Sequence, residues 1–425
     1  MVKHVCIFED PDFRKLLPLT SLRPVFDLRC GITTLREKIQ RQFPAARVTL
    51  RSRDELAGLV RERNPGVSVN EWPEADCLFV NGRLPMDPSV LKSLPPPKSG
   101  SLVYLRGPRE IAAAYVAKSD VDRLRHKGAG ILAPDAFEGL ASVGTDVPLI
   151  AYPWDLVQCN GEQIMRDAET LRKRKETRRR ASFPRGVHVV RPSEVSMGEG
   201  VVLKPGTVLD ATDGPIVIGP HAVIQPNVVI MGPAAIGSGS LVKPGAHVYD
   251  GATIGPVCKI GGEVEASIIQ GYSNKQHAGF LGHSFLGSWV NLGAGTTNSD
   301  LKNNYGAITV HIDGSDIDTG LRFAGVFMGD HAKSAINTTF NTGTVVGVCS
   351  NVFGAGFPPK AIPSFTWADL QAGFSTYSLE KAIAVARTVM GRRKMELSVV
   401  EERALRVLFE ATAGERDRSG VRGGR

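Results

Sequence analysis

The stretch IVIGPHAVIQPNVVIMGPAAIGSGSLVKPGAHVYDGATIGPVCKI, residues 216–260, repeats its character every sixth residue. Ile218, Ile224, Ile230, Ile236, Val242, Val248, Ile254 and Ile260 share one register, with Ala266 as its ninth position. Met197, Leu203 and Leu209 hold a second register upstream of the turn at 210–215; Phe280, Leu286 and Leu292 hold a third downstream. A period of six is neither the helical nor the hairpin repeat. It predicts a parallel β-helix, in which a short strand and a turn make one side of a triangular coil. The aliphatic residue points inward and stacks on its copy one turn away. Ala222, Val228, Ala234, Ser240, Ala246, Ala252 and Cys258, four places on, suit a narrow interior. The corners need backbone at positive φ, hence glycine. Of the 46 glycines in the chain, 29 fall in residues 186–356.

The segments around the coil differ in pattern. Residues 1–170 alternate strand-like and helix-like runs: Val2–Phe8, Arg47–Leu50 and Cys77–Asn81 read as strands, and Thr33–Arg41, Arg53–Arg63 (after Ser52 as N-cap) and Pro108–Lys118 as helices. Such alternation predicts an α/β layer on a mostly parallel, Rossmann-like sheet. Residues 171–185 carry eight basic side chains and one acidic one and read as a basic linker. The coil is expected over 186–363, helices over 364–413 (Leu379–Met390 and Met395–Phe409, with Ser398 as a restart), and a charged, glycine-rich disordered tail over 414–425. At roughly 150 residues per domain, 425 residues fit this division.

Composition excludes several classes. Hydrophobic residues at 42% and charged residues at 22% argue against a mainly disordered chain. No run approaches the ~18 apolar residues of a membrane helix. The first ten residues turn acidic at Glu9-Asp10, too early for a secretory leader, so a cytoplasmic protein is expected. Six scattered cysteines without C-x-x-C spacing predict reduced thiols rather than a disulfide framework or zinc ribbon. The run Arg172–Arg180 has the charge to attract nucleic acid but no interleaved aromatics and no nucleic-acid fold signature, so no such partner is expected.

Within the coil, His277-Ala278-Gly279-Phe280-Leu281-Gly282, then Val290-Asn291-Leu292-Gly293-Ala294-Gly295-Thr296, then Asn303-Asn304-Tyr305-Gly306 follow in order. They resemble the H-x-x-Y-L-G, V-N-x-G-A-G-T and N-Y-D motifs of the acetyltransferase domain in the bifunctional UDP-N-acetylglucosamine pyrophosphorylase/glucosamine-1-phosphate acetyltransferase family. The resemblance implies a left-handed coil, a homotrimer with sites between neighbouring coils, and acetyl-CoA as cosubstrate. His277 is then the candidate base; imidazole, with an ordinary pKa of ~6.5, suits proton removal near neutrality. Asn304 is the candidate carbonyl-polarising amide, and Asn304 with Tyr305 would line the acetyl-CoA pocket. Asn291 would face the sugar. Phe280 replaces the family's tyrosine, which removes a hydroxyl contact to substrate. The lysine after N-Y-D is absent, and Lys302 or Lys333 is the substitute for holding phosphate.

The first domain has a second resemblance. Arg14-Lys15-Leu16-Leu17-Pro18-Leu19-Thr20-Ser21-Leu22-Arg23-Pro24 resembles the sugar nucleotidyltransferase signature R-x-x-P-L-T-x-x-x-P-K. Phe8-Glu9-Asp10, Asn81-Gly82-Arg83 and the Arg23-Pro24 pair resemble a divergent subgroup classed with those enzymes. The glycine-rich phosphate loop is missing, and Gly82-Arg83 stands where the family has its metal-binding aspartate. The resemblance implies a sugar phosphate and a nucleoside triphosphate as substrates. Arg14, Arg23, Asn81 and Arg83 become candidate substrate contacts, and Asp10 and Asn160 candidate Mg²⁺ ligands, oxygen donors suited to a hard cation.

These readings lead to a sugar-1-phosphate nucleotidyltransferase fused to a glucosamine-1-phosphate-type N-acetyltransferase, making a UDP-N-acetylglucosamine-like nucleotide sugar. Two alternatives stand beside it: an acetyltransferase with a degenerate N-terminal binding domain, and a non-catalytic trimeric scaffold.

Overall fold

The computed structural model describes residues 2–126, 130–173, 178–179 and 183–423. The six-residue period becomes a three-sided coil. Ile218 stacks on Ile236 and Ile254 in one sheet, Ile224 on Val242 and Ile260 in a second, and Ile230 on Val248 in a third. Two sheets have ten strands and the third has six, in the manner of a left-handed parallel β-helix. The small residues from Ala222 to Cys258 are all buried within it.

The register slips after Ile260. Val264, not Ala266, pairs with Val248, and Leu281, not Phe280, follows Val264. One side of that turn is shorter, and Ala266 becomes a corner residue at φ +39°. Glycine takes the corners as expected at Gly239, Gly245 and Gly251, with φ between +65° and +69°, but it shares them with other residues and has a second use. Corners at positive φ include His221, Asn227, Val257 and Tyr272, between +56° and +60°. Gly237 and Gly255 instead permit close stacking of successive turns: a Cβ on Gly237 would lie 2.4 Å from the Gly255 carbonyl carbon, and one on Gly255 2.2 Å from the Gln270 oxygen.

After Thr297–Asn298 the coil is interrupted by an excursion that contains an antiparallel hairpin, Thr309–Ile312 with Ser315–Asp318. It resumes at Val326–Met328 and runs on past 363, because Thr366–Asp369 continues one sheet and pairs antiparallel with Gly373–Thr376.

The N-terminal domain is built on a seven-stranded sheet ordered Ser68–Val69, Arg47–Arg51, His4–Phe8, Cys77–Asn81, Glu110–Val116, Leu102–Arg106, Ser142–Gly144. Its first half is parallel; Glu110–Val116 runs antiparallel to both neighbours, so the sheet is mixed. The helix expected over Pro108–Lys118 is this strand, followed by a helix over Lys118–Arg125. Three alanines favour a helix locally, but a central position between two strands overrides that propensity. Thr34 starts the helix Leu35–Gln42 with a full capping box. Ser52 does not cap the next helix. Arg53 is its N-cap residue, and the Glu9 carboxylate takes the Arg53 N–H at 3.2 Å.

The helix Pro153–Lys173 leaves this domain and lies along one coil face, against the strands Ala234–Ile236, Ala252–Ile254 and Phe285–Ser288. The linker run beyond it falls mostly outside the described residues; Arg172 pairs with Glu194 of the coil at 2.7 Å. At the far end, helices Leu379–Gly391, Val399–Ala411 and Ala413–Arg418 fold back toward the N-terminal domain. Ser398 caps the second, accepting the Glu401 N–H at 3.0 Å. Leu56 and Val60 of the sheet domain, Val348 and Phe365 of the coil, and Ala404 and Leu405 of that helix share one apolar core. At ~1.5–3 kcal/mol per fully buried large aliphatic or aromatic side chain, this core ties the three parts together. The tail expected to be disordered is ordered through Gly423: Val421 is buried, and the Arg422 backbone bonds to Phe374 and Thr376. All six cysteines are free thiols.

Candidate functional site

The coil motifs fall into two places. His277 lies exposed at the turn after Asn274–Lys275. Phe280 is half-buried on the next strand and points outward, its N–H bonded to Thr297 Oγ1 at 3.3 Å. Asn304 and Tyr305 lie exposed in the excursion that follows Asn298. Asn304 Oδ1 closes its own turn on the Gly306 N–H at 3.0 Å, and Tyr305 is 67% exposed. No hydrogen bond joins His277 to Asn304 or Tyr305 among the described residues.

Asn291 and Lys333 do come together. They are register partners on adjacent strands, in an outward row that runs Lys259, Asn274, Asn291, Lys333, Asn351. Asn291 Oδ1 accepts from Asn274 Nδ2 at 3.2 Å, and Asn274 Oδ1 accepts from Arg393 NH2 at 2.7 Å. Lys333 Nζ donates to the His331 carbonyl at 2.7 Å, and burial lowers its pKa. Lys302 stays in its own loop, bonded to the Ala307 carbonyl. Of the two lysines offered as phosphate contacts, only Lys333 adjoins Asn291.

Lys275 carried no signal in the sequence. It occupies the inward position between Ile260 and Leu292, where the repeat expects an aliphatic residue. Its ammonium donates to the Gly261 carbonyl at 2.8 Å and to the His277 carbonyl at 3.0 Å, just beneath the candidate base. Burial brings its pKa down to about 8.

In the N-terminal domain, Asp10, Asn81 and Arg83 meet at the carboxyl ends of two adjacent strands, the place where α/β sheets carry their sites. Asn81 Nδ2 donates to Asp10 Oδ2 at 2.8 Å, and Arg83 NH2 reaches the same oxygen at 2.8 Å. The neighbouring Glu9 is fully buried. Its carboxylate accepts from the Arg53 guanidinium at 2.9 Å and the Val25 N–H at 3.1 Å; burial, working against those donors, pushes its pKa up to about 7.

The other candidates lie elsewhere. Arg14 is largely exposed, with Asp313 of the coil hairpin at 3.8 Å. It lines a cavity of about 390 Å³ with Phe13, His311, Ile362, Leu408 and Glu415, so the sheet domain, the hairpin, the coil and the C-terminal helices all contribute. Arg23 does not face this cavity. It is buried against the coil, bonded to the Asp330 carboxylate and, at 3.1 Å, to Ser288 Oγ. Asn160 is not available to a metal. Its oxygen accepts the Gly31 N–H at 2.7 Å, and its amide nitrogen donates to the Gly251 carbonyl at 2.7 Å and Thr253 Oγ1 at 2.9 Å. It stitches the exiting helix to both domains, whereas Asp10 is held by Arg83 and Asn81. The proposed Mg²⁺ pair is therefore corrected: its two members serve different structures. Among the described residues, no three His, Cys, Asp or Glu side chains converge as a metal cluster.

Known proteins resemble both halves. Residues 5–176 match the family described as sugar nucleotidyl transferase, and residues 215–250 match the bacterial transferase hexapeptide family (six repeats). The bifunctional protein GlmU of Synechococcus elongatus is 29% identical over 199 residues, 41% of this chain and 43% of that protein. A bifunctional sugar-1-phosphate nucleotidylyltransferase/acetyltransferase of Sulfurisphaera tokodaii is 33% identical over 97 residues, 22% of this chain and 24% of that protein. The chain thus spans less than half the length of these curated relatives. A solved Arabidopsis UDP-N-acetylglucosamine acyltransferase is 13% identical, covering 57% of this chain and 99% of that one, with a TM-score of 0.24. No helix among the described residues is long and apolar enough to cross a membrane.

Proposed function

We propose that the chain is a two-function transferase of nucleotide-sugar synthesis. On the coil, the amine of a sugar phosphate such as glucosamine-1-phosphate attacks the thioester of acetyl-CoA. His277 takes the amine proton, and Asn304 donates to the developing oxyanion from a neighbouring copy in a homotrimer. Asn291, beside Lys333, receives the sugar phosphate, Phe280 stands where the family's tyrosine would touch it, and Tyr305 borders the acetyl-CoA. In the N-terminal domain, Arg14 at the rim of the 390 Å³ cavity offers a cation to a nucleoside triphosphate or sugar phosphate. Such substrates place the enzyme in the cytoplasm. The observation that carries the reading is His277, exposed at a coil corner and outside the core, in a chain whose residues 5–176 match sugar nucleotidyl transferases.

The test has two arms: thiol release from acetyl-CoA with glucosamine-1-phosphate, and pyrophosphate release from UTP with N-acetylglucosamine-1-phosphate. Turnover in both is expected, and turnover in neither sinks the reading. A second reading keeps only acetyl transfer. The burial of Arg23 against the coil favours it, since a signature residue spent on a domain contact is withheld from phosphate. Thiol release without pyrophosphate release is its outcome.

A further inference from the structure

The resemblance to sugar nucleotidyltransferases implies a divalent cation at the strand end that carries Asn81, and the residues found there do not fit one. The acidic corner already holds a cation, the guanidinium of Arg83. That side chain is wholly buried. Its Nε lies 3.1 and 3.2 Å from the two oxygens of Asp10. Its NH2 reaches Asp10 at 2.8 Å, Glu110 at 3.0 Å and Asp12 at 3.3 Å, and its NH1 donates to the Ile150 carbonyl at 2.9 Å. Its backbone N–H is fixed on Asn81 Oδ1 at 2.9 Å. Three carboxylates from the loop after the first strand and from the strand Glu110–Val116 thus surround one delocalised charge, and every guanidinium nitrogen is engaged.

Two physical facts make this arrangement hard for a metal to displace. A magnesium ion demands near-octahedral oxygen at ~2.0–2.1 Å and gives up water reluctantly. A guanidinium is more weakly hydrated and matches carboxylates with a planar fork, so it suits a dry site of this kind. The anionic counterpart is also filled from within. At the start of the helix Asp54–Arg63, where a phosphate would find backbone N–H groups, the Glu9 carboxylate already takes the Val25 and Arg53 N–H groups and the Arg53 guanidinium.

We propose that Arg83 is a built-in replacement for the divalent cation, so that this corner of the N-terminal domain takes neither Mg²⁺ nor Mn²⁺. The inference holds under either reading of the domain, because its readout is metal occupancy rather than turnover.

Mn²⁺ is the probe, with free Mn²⁺ followed by its paramagnetic resonance as the full chain is titrated up to ~10⁻³ M metal, the weak end for oxygen-ligand sites. The wild-type chain is expected to bind no Mn²⁺ that Asp10→Asn removes. Arg83→Met, which removes the cation between Asp10, Asp12 and Glu110, is expected to gain one site of Kd ~10⁻⁴ M or tighter, lost again in Arg83→Met/Asp10→Asn. A wild-type site abolished by Asp10→Asn overturns the proposal, since the carboxylates would then already hold metal. A folded Arg83→Met that gains no site also overturns it, since the cluster would then be only a salt-bridge network. Should Arg83→Met fail to fold, the comparison of wild type with Asp10→Asn decides alone.

Discussion

Arg23, in the loop that carries the nucleotidyltransferase signature, is buried against Asp330 of the coil, and the Asp330 carboxylate also accepts the Ser288 N–H at 2.8 Å. The residue the motif offers to phosphate therefore clamps one domain to the other. Among the described residues the buried NH1 of Arg23 has no hydrogen-bond partner, and its NH2 makes the contacts to Asp330 and Ser288.

Removing one member of a buried ion pair leaves the other charge uncompensated, at a cost of ~3–5 kcal/mol. Arg23→Ala is expected to lower folding stability by about that amount, read from the denaturant midpoint. The double variant Arg23→Ala/Asp330→Ala should lose less than the sum of the single losses. Strict additivity in the cycle would show that the two side chains do not work as a pair.

His277 is exposed and belongs to no core, so its removal should leave the melting temperature unchanged. His277→Ala is expected to lower acetyl transfer by ~10²–10⁴-fold, the usual contribution of a positioned base. Pyrophosphate release should stay at the wild-type rate. Undiminished thiol release would remove His277 from the mechanism.

How far the sequence could be read follows from where each signal resides. The coil is legible because its inward positions repeat a chemical type, and Ile218 to Ile260 fall where the period puts them. The slip at Val264 is not, because shortening a turn leaves another small apolar residue, Ala266, in the old register. The meeting of Asp10, Asn81 and Arg83 is foreshadowed, since each ends or follows a strand. The burial of Arg23 is not: its partner lies 307 residues away and no local pattern announces it. Glu110–Val116 misleads because alanine reports helix propensity, whereas the two flanking strands decide its conformation.

Lys275 gives the pH dependence its sign. Its folded-state pKa, lowered to about 8 by burial, lies below the ~10.5 of an unfolded lysine. Between these values the unfolded chain binds more protons than the native one, so this residue makes stability rise with pH, by up to ~1.4 kcal/mol per unit. Below about pH 8 the ammonium stays charged in both states and its full burial cost remains. Comparing wild type with Lys275→Met between pH 7.5 and 9.5 isolates the effect. The wild type should gain on the variant as pH rises, and parallel curves would mean that the amine is not desolvated.

Asn160→Asp separates a stitch from a metal ligand. A carboxylate is the better donor for a hard cation, so an asparagine that held Mg²⁺ would tolerate the change and bind metal more tightly. Asn160 instead needs both ends of its amide: an oxygen for the Gly31 N–H, and an N–H₂ for the Gly251 carbonyl and Thr253 Oγ1. Aspartate keeps the first contact and turns the second into oxygen against oxygen in a buried place. An unsatisfied buried group costs ~1–3 kcal/mol, and more when charged. The expected outcome is therefore a fall in stability of at least that size, with no gain in Mn²⁺ binding. Because the contact joins the helix Pro153–Lys173 to the coil, limited proteolysis should also cut faster within that helix. A variant as stable as wild type with tighter metal binding would return Asn160 to the metal site.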